Sequence, residues 1–256
     1  MNRWLTLGIF FGFACYSSAV ANVPPRDVRS IVERFERTYR SSRTLQATFL
    51  QRYMDNGREV RSEAGVAYFA RPGKMRWEYD SPEHNLYVID GKWSWFYVPE
   101  DHTVTRIRAK ESSDWRTPLA LLAGEMKVSR ICAHVELDSS LHALDSENIA
   151  LRCVVRGRET SASANRREGI PASDDQGAGV VFEVNPATGE LSRVLVSDPG
   201  GVQIEFRFAN WQFDPPLGAA KFRFEPPKGV AIVDGDLATP RTNSFAAPLS
   251  PPSEVN

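Results

Sequence analysis

Between Thr44 and Ala109 the chain reads as one strand-like run after another, and this succession constrains the fold more than any other feature. "LQATFLQRYM", "EVRSEAGVAYFA", "KMRWEYD", "NLYVID", "KWSWFYV" and "TVTRIRA" follow one another with period-two alternation. The spacers carry turn pairs such as Asn56-Gly57, Pro72-Gly73, Ser81-Pro82 and Asp90-Gly91. Spacers this short make successive strands antiparallel neighbours in a meander. The pattern resumes in "MKVSRICAHVEL", "NIALRCVVRG", "GVVFEVN", "LSRVLVSD" and "VQIEFRFANWQF".

Two stretches break it. From Pro25 to Ser41, Val28, Ile31, Val32, Phe35 and Tyr39 fall on one face of a helix with Arg and Glu opposite. In "DWRTPLALLAGE", Pro118 can open a short helix that presents Leu119, Leu121 and Leu122 and stops at Gly124. The expected fold is mainly β (α+β): a curved antiparallel sheet forming an open, incomplete β-barrel, covered on its concave side by an N-terminal helix and a short lid helix. One strand poses a question. In "IDGKWSWFYVPED", Trp93, Trp95 and Tyr97 share one face and Ser94, Phe96 and Val98 the other, so large apolar groups lie on both sides. An antiparallel strand can leave one side to water. Either one face packs a core and the other carries scattered aromatics, or the concave face lines an apolar pocket of the kind found in barrel mouths.

The first residues, "MNRWLTLGIFFGFACYSSAVAN", place Arg3 before an apolar run and a small-x-small site at Ala19-Val20-Ala21. This is the layout of a secretory leader cleaved after Ala21, and the apolar run is short for a membrane span. Lipidation at Cys15 is the rival reading, disfavoured because Gly12 stands where lipoprotein leaders carry Leu. Residues 22–234 then form a single domain. The polar segment 156–179 is expected to be a loop insertion, and 235–256 a disordered Pro/Ser/Ala tail. The net charge of −1 offers no argument for nucleic acid or for an anionic membrane surface. Cys132 and Cys153 sit in strand-like runs of a chain expected in an oxidising compartment; a disulfide and two buried thiols both remain open.

Catalytic signals are missing. His84, His102, His134 and His142 show no metal-ligand spacing, and no CxxC, GxSxG, phosphate-binding loop or dinucleotide fingerprint occurs. No enzyme activity, metal or cofactor is expected.

Three stretches resemble the periplasmic outer-membrane lipoprotein carrier (LolA-like) family. "YFARPGKMRWEYDSPEHNLYVIDGKWSWFYVPED" is similar in its Arg71-Pro72 pair, its Asp90-Gly91-Lys92 turn and the Trp/Tyr-rich strand that follows. "AAKFRFEPPKGVAIVD" resembles the family's closing signature through Pro226, Pro227, Gly229 and Val230, and "TPLALLAG" its Thr-Pro lid helix. The resemblance runs from about Val28 to Asp234. It implies an open β-barrel of the eleven-strand class with a helical lid. The implied function is a monomeric periplasmic chaperone. It takes acylated lipoproteins from an inner-membrane ABC-type release complex and passes them to an outer-membrane receptor. An anchored receptor or an acyl-chain-sensing regulator on the same fold, or a hydrolase with an unrecognised site, are the alternatives. The resemblance further implies that Arg71 holds the lid by its backbone carbonyls. Met75, Trp77, Trp93, Trp95, Tyr97, Leu119, Leu121 and Leu122 are then the cavity and lid residues, with Met75 standing where relatives often carry Phe.

Overall fold

A computed structural model describes residues 27–109, 119–124, 127–156, 179–198 and 201–235. The leader, Cys15 and Pro118 lie outside the described residues, as do nearly all of the expected loop insertion and the tail. Among the described residues one twelve-stranded sheet runs in the order β12-β6-β5-β4-β3-β2-β1-β11-β10-β9-β8-β7. The meander comprises β1 (Thr44–Asp55), β2 (Arg58–Ala70), β3 (Lys74–Ser81), β4 (Leu86–Ile89), β5 (Trp93–Val98) and β6 (Thr103–Arg108). The second half comprises β7 (Cys132–Leu137), β8 (Ile149–Val155), β9 (Gly179–Val184), β10 (Leu191–Ser197), β11 (Val202–Phe213) and β12 (Ala231–Asp234). β1 pairs with β11 and joins the halves, while β7 and β12 remain separate edges, so the barrel is open.

The expected sheet is therefore present with one more strand than the resemblance implied, and that strand departs from the antiparallel rule. β12 pairs in parallel with β6, Ala231 opposite Thr103 and Asp234 opposite Arg106. A parallel partner needs a long connection, and the chain returning from β11 across the outer face supplies it. Register shifts between Gln46 and Thr48, Tyr53 and Met54, and Ala64 and Gly65 are the irregularities that bend long strands into a half-barrel. At Gly65 a Cβ would stand 1.9 Å from the Glu78 carbonyl oxygen, so only glycine permits that approach.

Helix α1 (Val28–Arg40) is capped by Asp27, whose carboxylate accepts from Arg29 N, and it buries Ile31, Phe35 and Tyr39 against the concave face. Tyr39 lies against Trp211 and Phe213, and its hydroxyl accepts from Leu191 N at 2.8 Å. Burial pushes this phenol well above its usual range. Helix α2 (Ala120–Ala123) is a single turn over β2 and β3. The expected strand from Met126 is shorter than its sequence pattern: a 3₁₀ turn, Val128–Arg130, precedes β7.

Cys132 and Cys153 form a disulfide between edge strand β7 and β8. It closes a loop with a sequence separation of 21. Replacing both cysteines by alanine is expected to cost about 3 kcal/mol by the loop-closure argument, read as a drop in denaturation midpoint. An unchanged midpoint would mean that β7 is held by its ladder alone.

The outer face is covered in two places. Over β8–β10, Leu144 N donates to the buried Glu183, and Arg193 bridges Glu183 and Glu205 while donating to His142 O. Burial opposes ionisation of Glu205, but its hydrogen bonds from Arg207, Arg52 and Arg193 prevail and hold its carboxyl below the usual value. A depressed folded pKa contributes stability that is present above the ordinary carboxylate range, about 4.3. That stability is lost as pH falls further. Parent protein should therefore lose stability below about pH 4, and Glu205→Gln should flatten that slope. Equal slopes in acid titrations monitored by unfolding would contradict the assignment.

Candidate functional site

The concave face presents a continuous layer of large apolar side chains. Odd residues of β1 (Leu45, Ala47, Phe49), Phe69 of β2, Met75 and Trp77 of β3, and Phe206 and Phe208 of β11 are all buried there. Their rings interlock. Trp77 meets Phe49 at 4.7 Å, Phe206 at 5.4 Å and Phe69 at 5.8 Å between centroids, mostly edge to face. Trp77 is 0% exposed and its indole N–H finds no acceptor among the described residues. Such a donor carries a desolvation cost that neighbours of this kind do not offset. Leu119, Leu121 and Leu122 are buried in the same cluster as Met75 and Trp77.

The layer ends in polar groups at its far side. Gln51, wholly buried, donates to Glu63 and accepts from Tyr79 Oη at 3.0 Å. Arg61 pairs with Glu63 and Glu83 beyond it. From Leu45 to Gln51 the strand spans about 20 Å at ~3.3 Å per residue. Along β1–β3 the apolar surface thus lies between the two helices at one end and this polar set at the other. Alternation from Leu45, Ala47 and Phe49 already puts Gln51 on their face, and its register partner is Glu63.

Trp93, Trp95 and Tyr97 do not belong to this layer. Register decides the matter. Trp77 is opposite Tyr87 and Tyr87 opposite Phe96, so Phe96 shares the inner face with Trp77; Val88 is opposite Trp95. Alternation then sends Trp93, Trp95 and Tyr97 outward. There they pack with Val88 and Val104 beneath Phe224 and Val230. Trp95 and Tyr97 lie 5.6 Å and 5.8 Å from the Phe224 ring. The expectation that these three line a cavity is corrected accordingly, and the two-faced strand is explained: Phe96 packs the inner core, and the closing segment covers the other side.

That segment gives the second motif its structural role. Lys221 reaches Glu78 at 2.9 Å and lies 3.9 Å from the Tyr68 ring centroid; its carbonyl accepts from Arg76. Phe222 is buried, and the Pro226-Pro227 turn, with Gly229 at φ +83°, delivers Val230 onto the outer cluster and the chain into β12. Asp90 organises the β4–β5 turn. Its carboxylate accepts from Lys92 N at 2.7 Å, Trp93 N at 2.8 Å and Trp95 Nε1 at 2.9 Å, while Gly91 takes φ +100°. Burial works against the charge, yet these donors keep the Asp90 carboxyl below its usual range. Asp90→Ala is expected to cost about 2 kcal/mol in unfolding experiments because three donors lose one charged acceptor. A loss near zero would show that the turn holds without it.

Arg71 stands where the two helices meet. Nη1 donates to Arg40 O at 2.6 Å and Nη2 to Tyr39 O at 2.7 Å, both at the C-terminal end of α1; Nη2 also reaches Leu122 O of α2 at 3.5 Å. Helix C-terminal carbonyls lack intrahelical partners and carry partial negative charge, which suits a guanidinium. Gly73 N donates to Ala123 O at 2.8 Å and adds a second tie to α2. Burial, then the nearby Arg40, lowers the Arg71 pKa from its usual value. Beside this junction a cleft of about 470 Å³ is lined by Arg40, Arg71, Pro72, Gly124 and Lys127. Nowhere among the described residues do three His, Cys, Asp or Glu side chains gather to hold a metal.

Compared with known families, residues 40–143 match the model described as Outer membrane lipoprotein carrier protein LolA, and residues 185–234 the one described as Predicted periplasmic protein (DUF2092). The outer-membrane lipoprotein carrier protein of Chromobacterium violaceum is 33% identical over 196 residues, covering 76% of this chain and 83% of its own. That of Nitrosomonas europaea is 31% identical over 191 residues, covering 74% and 82%. An uncharacterized conserved protein from Thermus thermophilus, solved as a crystal structure, overlays with a TM-score of 0.47 at 16% identity, covering 81% of this chain and 98% of its own, too distant to bear on function. By its identity to the two carrier proteins over most of their length, the chain belongs to the outer-membrane lipoprotein carrier protein family.

Proposed function

We propose that this protein is a periplasmic chaperone that takes up the acyl chains of lipoproteins released from the inner membrane and carries them to an outer-membrane receptor. The observation that carries the reading is the Arg71 junction: one side chain ties both helices over the apolar layer of the concave face. Acyl chains gain about 0.8 kcal/mol per methylene on leaving water, so an apolar face that opens is a strong acceptor. Opening costs the Arg71 bonds, and chains inserted beneath α1 and α2 replace the lost contacts. This is a two-state element biased by ligand. The reading also takes the family's partners, an ABC-type release complex as donor and a receptor as acceptor. It needs no catalytic group.

The test is to mix purified protein with membranes that hold a triacylated lipoprotein and its ATP-driven release machinery. The lipoprotein is expected in solution as a one-to-one complex with this protein. Cargo retained in the membrane, with free fatty acids still bound, would replace the carrier by an acyl-chain sensor.

A further inference from the structure

Along the meander β1–β6 the described charged side chains sort by end. Thr44 is opposite Ala70, Met75 opposite Ile89 and Trp93 opposite Arg108, so the start of β1, the β2–β3 and β4–β5 turns and the end of β6 lie at the end that bears the Arg71 junction. Arg40, Arg43, Lys92, Arg108 and Lys127 are exposed there. Of the described carboxylates on the meander side of this end, Asp90 turns to its own turn, Asp214 to Arg43 N and Thr44 N, Glu36 to Arg40 and Val128 N, and Asp234 to Arg106; the exposed Asp145, Glu147 and Glu190 lie at the same end but toward the β7 edge. The opposite end of the meander carries Asp55, Glu59, Asp80, Glu83, Glu100 and Asp101 against Arg52, Arg58 and Arg61. The two ends are about 40 Å apart along β1 at ~3.3 Å per residue. That is several Debye lengths, so a partner at one end does not feel the other.

A second observation is independent of the charge count. Trp93, half-buried on the outer rim of the same end, is flanked by Arg106 at 4.6 Å, Arg108 at 4.9 Å and Lys92 at 5.7 Å from its ring centroid. An amphipathic ring among cations has the composition of a side-chain set that settles at a membrane–water interface.

We propose that the meander side of the helix-bearing end docks on an anionic phospholipid surface, with Trp93 at headgroup level and Lys92, Arg108 and Arg43 against phosphates. Lys92 and Arg108 flank the ring of Trp93 on an open rim, outside the cleft beside Arg71, which fits a field of headgroups better than one acidic peptide. The inference goes beyond acyl-chain transport, because it concerns which end faces the membrane, and it holds whether or not cargo is bound.

The experiment is co-sedimentation of the purified protein with phosphatidylglycerol vesicles and with phosphatidylcholine vesicles, titrated with salt. Binding to phosphatidylglycerol alone, weakening as salt rises, is expected. Lys92→Gln and Arg108→Gln should each reduce it about fivefold, at roughly 1 kcal/mol per cation near the surface. Arg58→Gln, the same charge change at the other end, should leave it unaltered. Equal binding to both lipids would mean acyl-chain uptake rather than docking and would overturn the proposal, as would an equal loss in Arg58→Gln. Absence of binding to phosphatidylglycerol overturns it without touching the carrier reading. The salt titration of the parent protein decides even if a variant misfolds.

Discussion

Arg71→Leu is expected to retain acylated cargo about thirtyfold more tightly than the parent protein and to lower the stability of the empty form by about 2 kcal/mol. Both effects have one origin. The guanidinium donates to Tyr39 O, Arg40 O and Leu122 O only while the helices sit over the sheet. Hydrogen bonds from a charged donor contribute about 1.5–3 kcal/mol each, part of which returns when the carbonyls meet water. A ligand that opens the lid competes with this closed state, so its apparent affinity is reduced by whatever the closed state gains. Removing the bonds destabilises the empty form and leaves the loaded one unchanged. Retention rises by the same factor, and hand-over to an acceptor slows. Dissociation of a fluorescent lipopeptide, measured beside thermal unfolding, reads both quantities. Lost stability with unaltered retention would make Arg71 a tie between helices with no part in release.

Trp77→Ala is expected to produce the largest stability change, a loss of about 3–5 kcal/mol, and a long-chain fatty acid should restore much of it. Trp77 fills the middle of the concave layer between Phe49, Phe69 and Phe206. Its truncation leaves an apolar void that a chain can occupy, and ligand that binds only the folded form raises its stability. Trp95→Ala should also destabilise, since it loses Phe224 packing and the hydrogen bond to Asp90. Being on the outer face, it should show the parent's response to fatty acid. The contrast between the two tryptophans, in melting curves with and without ligand, tests which face is the acyl surface. An equal ligand response in both variants would contradict the division.

The meander was legible because its signals are local. Turn pairs at Asn56-Gly57 and Asp90-Gly91 and period-two alternation each depend on neighbours in sequence, and the observed turns fall there. The amphipathic stripe of α1 and the Leu-rich turn of α2 were legible for the same reason. Which face of β5 looks inward was not. Alternation shows that Trp93, Trp95 and Tyr97 lie together but not on which side, and a one-residue change of register reverses the answer. Only the pairing through β4 settles it. The covering role of Phe224 and Val230 was hidden likewise, because it arises from a parallel return over more than a hundred residues. The Cys132–Cys153 pairing needed the β7–β8 register, which bulges beside Cys132.

The central claim is that acyl chains enter between the helices and the concave face. A palmitoyl lipopeptide with a photoreactive group at the chain terminus tests it most directly. After loading and irradiation, peptide mapping is expected to place the cross-links on Phe49, Trp77 and Phe206. Cross-links on Trp95, Tyr97 or Phe224 would contradict the account, because they would put the chain on the face that the closing segment covers.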